Sequence, residues 1–185
     1  MGDITRLLAL QRDGDPAAER ELFDRVYGEL KRIAQREIHG GANTLSPTAV
    51  VHEAYLRMQM QQGFAPADRR SFFAFSAKLI RDVLCDAARA RQAQKRGGDW
   101  KQITLTGLED AGGDAVDVLA VDQALTALAE LDPRQAQVVD LRFFGGLEMI
   151  EIAEHLQLSR ATVQRDWEAA RIALFALLGN AAHGA

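Results

Sequence analysis

LEMIEIAEHLQLSRATVQRDWEAARIAL, residues 147–174, sets two apolar stripes on either side of a short break. Ile150, Ala153 and Leu156 recur at three-residue spacing, as one face of a short helix does. Leu158 closes a turn, Ser159 is placed to cap the next helix, and Val163, Trp167 and Ala170 line that helix's inner face. Two helices joined this tightly form a helix-turn-helix, in which the small Ala153 lets the second helix approach the first. The turn position that suits glycine holds Gln157, which costs about 1 kcal/mol in left-handed geometry, so a distorted turn is expected. Ser159, Arg160, Thr162, Gln164 and Arg165 populate the exposed start of the second helix, where base edges and phosphates are met. Asp166 and Glu168 weaken the positive field there. A plain helical hairpin within a bundle fits the same pattern.

Working back along the chain, Leu131-Asp132-Pro133 ends one helix, from Val118, and starts another that runs through Phe144 until Gly145 and Gly146 break it. Gly98 to Val116, containing GLEDAGGDAVD, reads as a linker, and a short strand near Ile103 to Leu105 carries no weight. Helical periods cover Arg69 to Arg96, Pro47 to Gln62, Asp15 to Ile38 and Asp3 to Arg12. Asp15 caps the second of these, whose apolar residues are Leu22, Val26, Leu30, Ile33 and Ala34, while Val51, Ala54, Tyr55 and Met58 share a face of the third. The expected fold is all-α: a helical domain over residues 1–97, an acidic flexible linker over 98–117, a second helical domain over 118–178 and a frayed tail over 179–185.

Hydrophobic residues make up 48% of the 185 residues and charged residues 26%, as in a soluble globular protein, and no stretch reads as a membrane span. No signal peptide is recognisable, and the lone Cys85 excludes an internal disulfide, so a cytoplasmic protein is expected. The net charge is −4, but it is unevenly spread. Residues 1–97 hold 16 bases against 12 acids (+4), 98–121 one against five (−4), and 122–185 five against nine (−4). Arg69, Arg70, Lys78, Arg81, Arg89, Arg91, Lys95 and Arg96 face only Asp82 and Asp86 in their stretch. Such a local stripe suits a polyanion, although a solvated helix face would look similar.

Together, VVHEAYLRM, SFFAFSAKLIRDVLCDAARARQAQKR and LDPRQAQVVDLRFFGGLEMIEIAEHLQLSRATVQRDW resemble, in order and spacing, the extracytoplasmic-function (ECF) subfamily of bacterial sigma-70 family sigma factors. The LDPRQAQVV and RDW wordings further resemble a subgroup associated with serine/threonine kinases. The resemblance implies two helical domains, sigma regions 2 and 4, that ride on RNA polymerase core enzyme. The first binds the polymerase and opens the minus-ten element of promoter DNA; the second reads the minus-thirty-five element. It places Lys78, Arg81, Asp82, Asp86, Arg89, Arg91, Lys95 and Arg96 at or near minus-ten DNA, and Ser159, Arg160, Thr162, Gln164 and Arg165 at minus-thirty-five DNA. A flipped base would be captured by the loop of residues 62–68, with Phe72, Phe73 and Phe75 either stacking on it or, for at least two of them, sitting in the core. Tethering to polymerase would raise the local concentration of both DNA readers, so the free protein should bind DNA poorly.

The polymerase-binding helix of this family opens with an acidic Asp-Ala-Glu-Asp pattern followed by Leu-Val-Gln-Glu. Here the stretch reads Ser46, Pro47, Thr48, Ala49, Val50, Val51, His52, Glu53, and only Glu53 remains of the acids. The resemblance implies a polymerase surface of Thr48, Val51, His52, Glu53 and Arg57. A phosphate on Thr48, where relatives carry glutamate, would restore negative charge at a positive helix end and would call for a kinase partner. Alternatively, Ser46 and Thr48 do no more than cap.

Two other classes compete with this reading. An enzyme finds no support in the scattered His39, His52, His155 and His183, and neither a phosphate-binding glycine loop nor a nucleophile motif occurs. No metal or cofactor is expected. A helix-turn-helix regulator acting independently of polymerase should dimerise on a palindrome. No membrane partner or anti-sigma factor is legible.

Overall fold

Asp132 shows how the chain punctuates itself. Its carboxylate accepts hydrogen bonds from the N–H groups of Arg134 and Gln135, both at 3.1 Å, so the residue that ends helix α5 (Val118–Leu131) also caps helix α6 (Pro133–Phe143). The structure, a computed structural model, describes residues 3–39, 46–61, 65–93, 104–105 and 116–183. Among these residues it is all-helical apart from three two-residue strands.

Helix α1 (Asp3–Arg12) stops at Gly14, whose φ of 83° turns the chain into α2 (Pro16–Glu37). Asp15 caps α2 by accepting from Ala17 N–H at 2.8 Å. Helix α3 (Pro47–Met60) packs on α2 and on α4 (Arg69–Ala93), which Asp68 caps through the Ser71 N–H at 2.8 Å. Leu22, Val26, Leu30, Val51, Ala54, Met58, Phe72, Phe73, Ile80 and Leu84 fill this four-helix core. Strand β2 (Thr104–Leu105), from the stretch read as linker, pairs antiparallel with β1 (Ile38–His39) and with β3 (Val116–Asp117). A ribbon the sequence did not argue for thus ties the end of α2 to the start of α5.

Helices α5 to α8 form a second group, completed by α7 (Met149–Leu156) and α8 (Arg160–His183). Its core contains Val121, Leu125, Leu128, Val138, Val139, Ile152, Ala153, Val163, Ala170 and Leu174. Ile150, expected to face inward, is 47% exposed. Helix α7 begins at Met149, and a helical step from there puts Met149, Ile152, Ala153 and Leu156 on the packed face instead. At the C-terminus, α8 runs on to His183, so residues 179–183 continue a helix rather than a frayed tail.

Gln157 adopts φ 57° and ψ 40°, left-handed geometry, with its N–H turned back on the last carbonyls of α7. The turn is not distorted to spare the side chain; the conformational cost is carried. Gln157→Gly is therefore expected to stabilise the chain by about 0.5–1 kcal/mol, raising Tm by about 2–4 °C in a thermal melt followed by circular dichroism. An unchanged or lower Tm would mean that the glutamine side chain compensates the backbone.

The two groups of helices are in contact, α4 packing against α5, α6 and α7. The α6–α7 turn presses on the first group through its glycines. A Cβ on Gly146, which has φ 63°, would lie 2.6 Å from Ile33 Cγ1 of α2, and one on Gly145 would lie 2.6 Å from the Leu141 carbonyl oxygen of α6 and 3.3 Å from Ala77 Cβ of α4. Only residues without side chains let the turn come this close.

Candidate nucleic-acid and partner-binding surfaces

At the start of α8, Ser159 Oγ accepts from the Thr162 N–H at 3.1 Å and lies 2.9 Å from the Thr162 hydroxyl. Ser159, Arg160, Gln164 and Arg165 are exposed and Thr162 half-buried, while Val163 and Ala170 of the same helix are buried. Within this face Gln164 donates to Glu168 at 2.9 Å. Asp166, expected to weaken the field, instead points inward. It is buried, and the Arg134 guanidinium grips it in a fork, Nε to Oδ2 at 2.7 Å and Nη2 to Oδ1 at 3.0 Å. The Arg-Asp-Trp wording thus encodes a strut between α6 and α8, with Trp167 packed against the core. Glu151 reaches back to cap α7, accepting from the Glu148 N–H at 2.9 Å.

On α4, Phe72 and Phe73 are buried and meet edge to face, and Phe75 is half-buried, packed against the core. The two buried rings offer no surface to a base. Lys78, Asp82, Asp86 and Arg89 are exposed. Arg91 lies in α4 with its side chain outside the described residues, and Lys95 and Arg96 fall outside them altogether, as do residues 62–64 of the proposed capture loop. Arg81 is different. Its guanidinium donates to Asp122 Oδ1 at 2.9 Å, to the Asp122 carbonyl at 3.0 Å and to both carboxylate oxygens of Asp140 at 3.1 Å. Arg89 adds a bond to Asp122 Oδ2 at 3.1 Å. Burial pushes the Asp140 carboxyl above its ordinary value, against the pull of Arg81.

The same opposition of charge continues toward the start of α4. Arg69 lies over the Phe73 ring at 4.7 Å, bonds Glu29 at 2.8 Å and reaches Glu151, while Arg70 pairs with Asp68 at 3.0 Å and with Glu154. Sequence reasoning missed Asp122, Asp140, Glu151 and Glu154 as partners. The available signal was the charge asymmetry, +4 over residues 1–97 against −4 over 122–185. Cys85 sits beside Asp122, and burial pushes its thiol up to about 12. At pH 8 native chain should react with iodoacetamide far more slowly than urea-unfolded chain; equal rates would show that the pocket around the sulfur is open.

On α3, Ser46 is the residue whose hydroxyl caps, accepting from the Ala49 N–H at 3.1 Å; Thr48 is exposed, and the first turn carries no acid. His52 is exposed, while Glu53 is bound to Arg57 at 2.9 Å and Arg57 also reaches Asp86 at 2.8 Å. Val51 is fully buried and cannot touch a partner; its side chain belongs to the α3 face that packs on α2 and α4.

A helix-turn-helix with an exposed polar face on α8, together with an arginine-rich α4 in the other group, is the class of architecture that many nucleic-acid-binding proteins share. Residues 1–179 match the family model described as ECF sigma factor, and the chain belongs to that family. It is similar to the ECF RNA polymerase sigma factor BldN of Streptomyces coelicolor (strain ATCC BAA-471 / A3(2) / M145), with 25% identity over 155 residues, 82% of this chain and 58% of that relative. The chain therefore spans little more than half of that relative's length. Among the described residues, no helix is long and apolar enough to cross a membrane.

Proposed function

We propose that this chain is an alternative sigma factor that binds RNA polymerase core enzyme and directs initiation at a defined set of promoters. The carrying observation is the exposed face of Ser159, Arg160, Gln164 and Arg165 within a chain matched to the ECF sigma factor model over residues 1–179. In this reading residues 1–97 hold polymerase and meet minus-ten DNA through α4, residues 118–178 read minus-thirty-five DNA, and 98–117 link them. The exposed polymerase-facing residues are Thr48 and His52, with Glu53 and Arg57 held beside them as an ion pair.

The finer proposal is that a serine/threonine kinase acts on Thr48. Its support is local: Ser46 already supplies the cap, so the Thr48 hydroxyl is exposed at a helix start that has no acid of its own. Phosphate there meets the free N–H end of α3 and gives the docking face nearly two negative charges. The overall function is tested by capturing purified core polymerase on the immobilised chain and by run-off transcription from fragments selected with the complex. Stoichiometric capture and fragment-specific transcripts are expected. A dimer that binds a palindrome without polymerase, and captures none, would replace this reading with that of an independent regulator.

A further inference from the structure

We propose that helix α1 is a positioning element for promoter recognition: Thr5 and Arg12 hold the segment that leads into α4, and so help to set which base the loop before α4 accepts in the minus-ten element. The inference rests on the reading of that loop as the one that captures a base, and adds what holds it in place. Thr5 and Arg12 stand seven residues apart, about two turns, so both project from one stripe of α1. Ile4, Leu7 and Leu8 of the same helix are buried, which fixes α1 against α2. From this anchored helix the Arg12 guanidinium donates to the Pro66 carbonyl, and Thr5 Oγ1 accepts from the Arg69 N–H at 3.2 Å.

Both bonds meet needs that the segment does not meet alone. Arg69 is the first residue of α4, and its N–H is one of the helix-start donors with no carbonyl behind them. Asp68 serves the Ser71 N–H at 2.8 Å, so Thr5 supplies a second cap from another helix. Pro66 lies outside any helix or strand, where a backbone carbonyl has no ladder partner. Burial does little to place these residues: Ala65 and Ala67 are exposed and Pro66 is half-buried. Pro66 borders a cavity of about 310 Å³, walled also by Leu8, Leu22, Phe23, Tyr55 and Phe72, rather than a packed layer. With so little packing beneath it, the segment takes its position from the two α1 side chains and from Asp68. Where a group must be positioned, a displacement of about 1 Å can cost about a hundredfold.

The test uses the full chain, alone and with core polymerase. Arg12 is exposed, so Arg12→Ala should fold as wild type does. It leaves the acceptors of the Arg69 and Ser71 N–H groups untouched, yet both amides should exchange about tenfold faster by NMR, because the segment they belong to is released. In run-off transcription from fragments randomised over the minus-ten element, the same variant should lose about fivefold of its preference at one position. Preference at the other positions, and capture of polymerase, should stay at the wild-type level. Thr5→Val should relax the same position, and Arg12→Lys, which keeps a donor, should recover most of the preference. Arg20→Ala is the control: it removes the same charge and the same kind of bond, from a guanidinium to the Pro16 carbonyl within α2, and should match wild type in both readouts. Unaltered exchange in Arg12→Ala would overturn the proposal, and so would faster exchange accompanied by an even loss of initiation on every sequence. Absence of promoter-specific transcripts from wild type would instead remove the sigma-factor reading, and the choice of base with it, while the exchange rates would still accept or reject α1 as the clamp.

Discussion

Kinase-treated wild type, carrying phosphate on Thr48, is expected to bind core polymerase roughly tenfold to a hundredfold more tightly than the same chain untreated, and Thr48→Ala should gain nothing from the treatment. The estimate follows from the charge-assisted hydrogen bonds that a phosphate creates at an exposed helix start, which after screening together contribute about 1.4–2.8 kcal/mol. Thr48→Glu restores one charge without the phosphate's geometry and should fall between the two. Ser46→Ala is the informative control. It removes the bond to the Ala49 N–H and should lower stability by about 0.5–2 kcal/mol while leaving the phosphate response intact. The measurement is polymerase binding by fluorescence anisotropy with phosphate stoichiometry verified by mass. Full-strength binding by verified unmodified chain would remove the switch.

Arg160→Ala combined with Arg165→Ala is expected to reduce promoter-specific initiation by about tenfold to a hundredfold, since a bidentate base contact or a phosphate contact is worth about 1–3 kcal/mol. Both side chains are exposed at the start of α8, and neither belongs to the Arg134–Asp166 strut, so Tm should stay within about 1 °C of wild type. The salt dependence of DNA binding separates the two roles. Loss of a phosphate contact lowers its logarithmic slope by about one, whereas loss of a base contact relaxes preference at one position and leaves the slope alone. Unaltered initiation at every promoter tested would dismiss this face of α8 as a reading surface.

Helix ends were largely legible because they are written in single residues. Asp15, Ser46, Pro47 and the Asp132-Pro133 pair act within one turn of where they stand, and their reading needs no knowledge of tertiary contacts. The inner face of α8 was equally plain from Val163 and Ala170. Ile150 was misread because Ile150 and Ile152 both fit an apolar stripe in an eight-residue helix, and only the starting point at Met149 decides between them. Val51 was assigned by family position although its own periodicity placed it with Ala54 and Met58 in the core. The role of Asp166 was hidden for another reason. A charged residue reads as solvent-facing until its partner is known, and Arg134 lies 32 positions away. The contact between the two halves was the least legible feature, since local pattern gives each helix a face but does not say which faces meet.

The three-stranded ribbon has a consequence for reach. Its pairings are two residues long, so they unzip at small cost, and 24 residues separate the end of α4 at Ala93 from the start of α5 at Val118. Paid out straight, that length of backbone extends to roughly 80 Å. Two promoter elements about 25 base pairs apart lie roughly 85 Å from one another along the duplex. If the two groups read separate promoter elements as proposed, the ribbon works as a stowed tape measure: wound in, it holds the two groups together; let out, it is long enough, with the width of their own helices added, to span both elements.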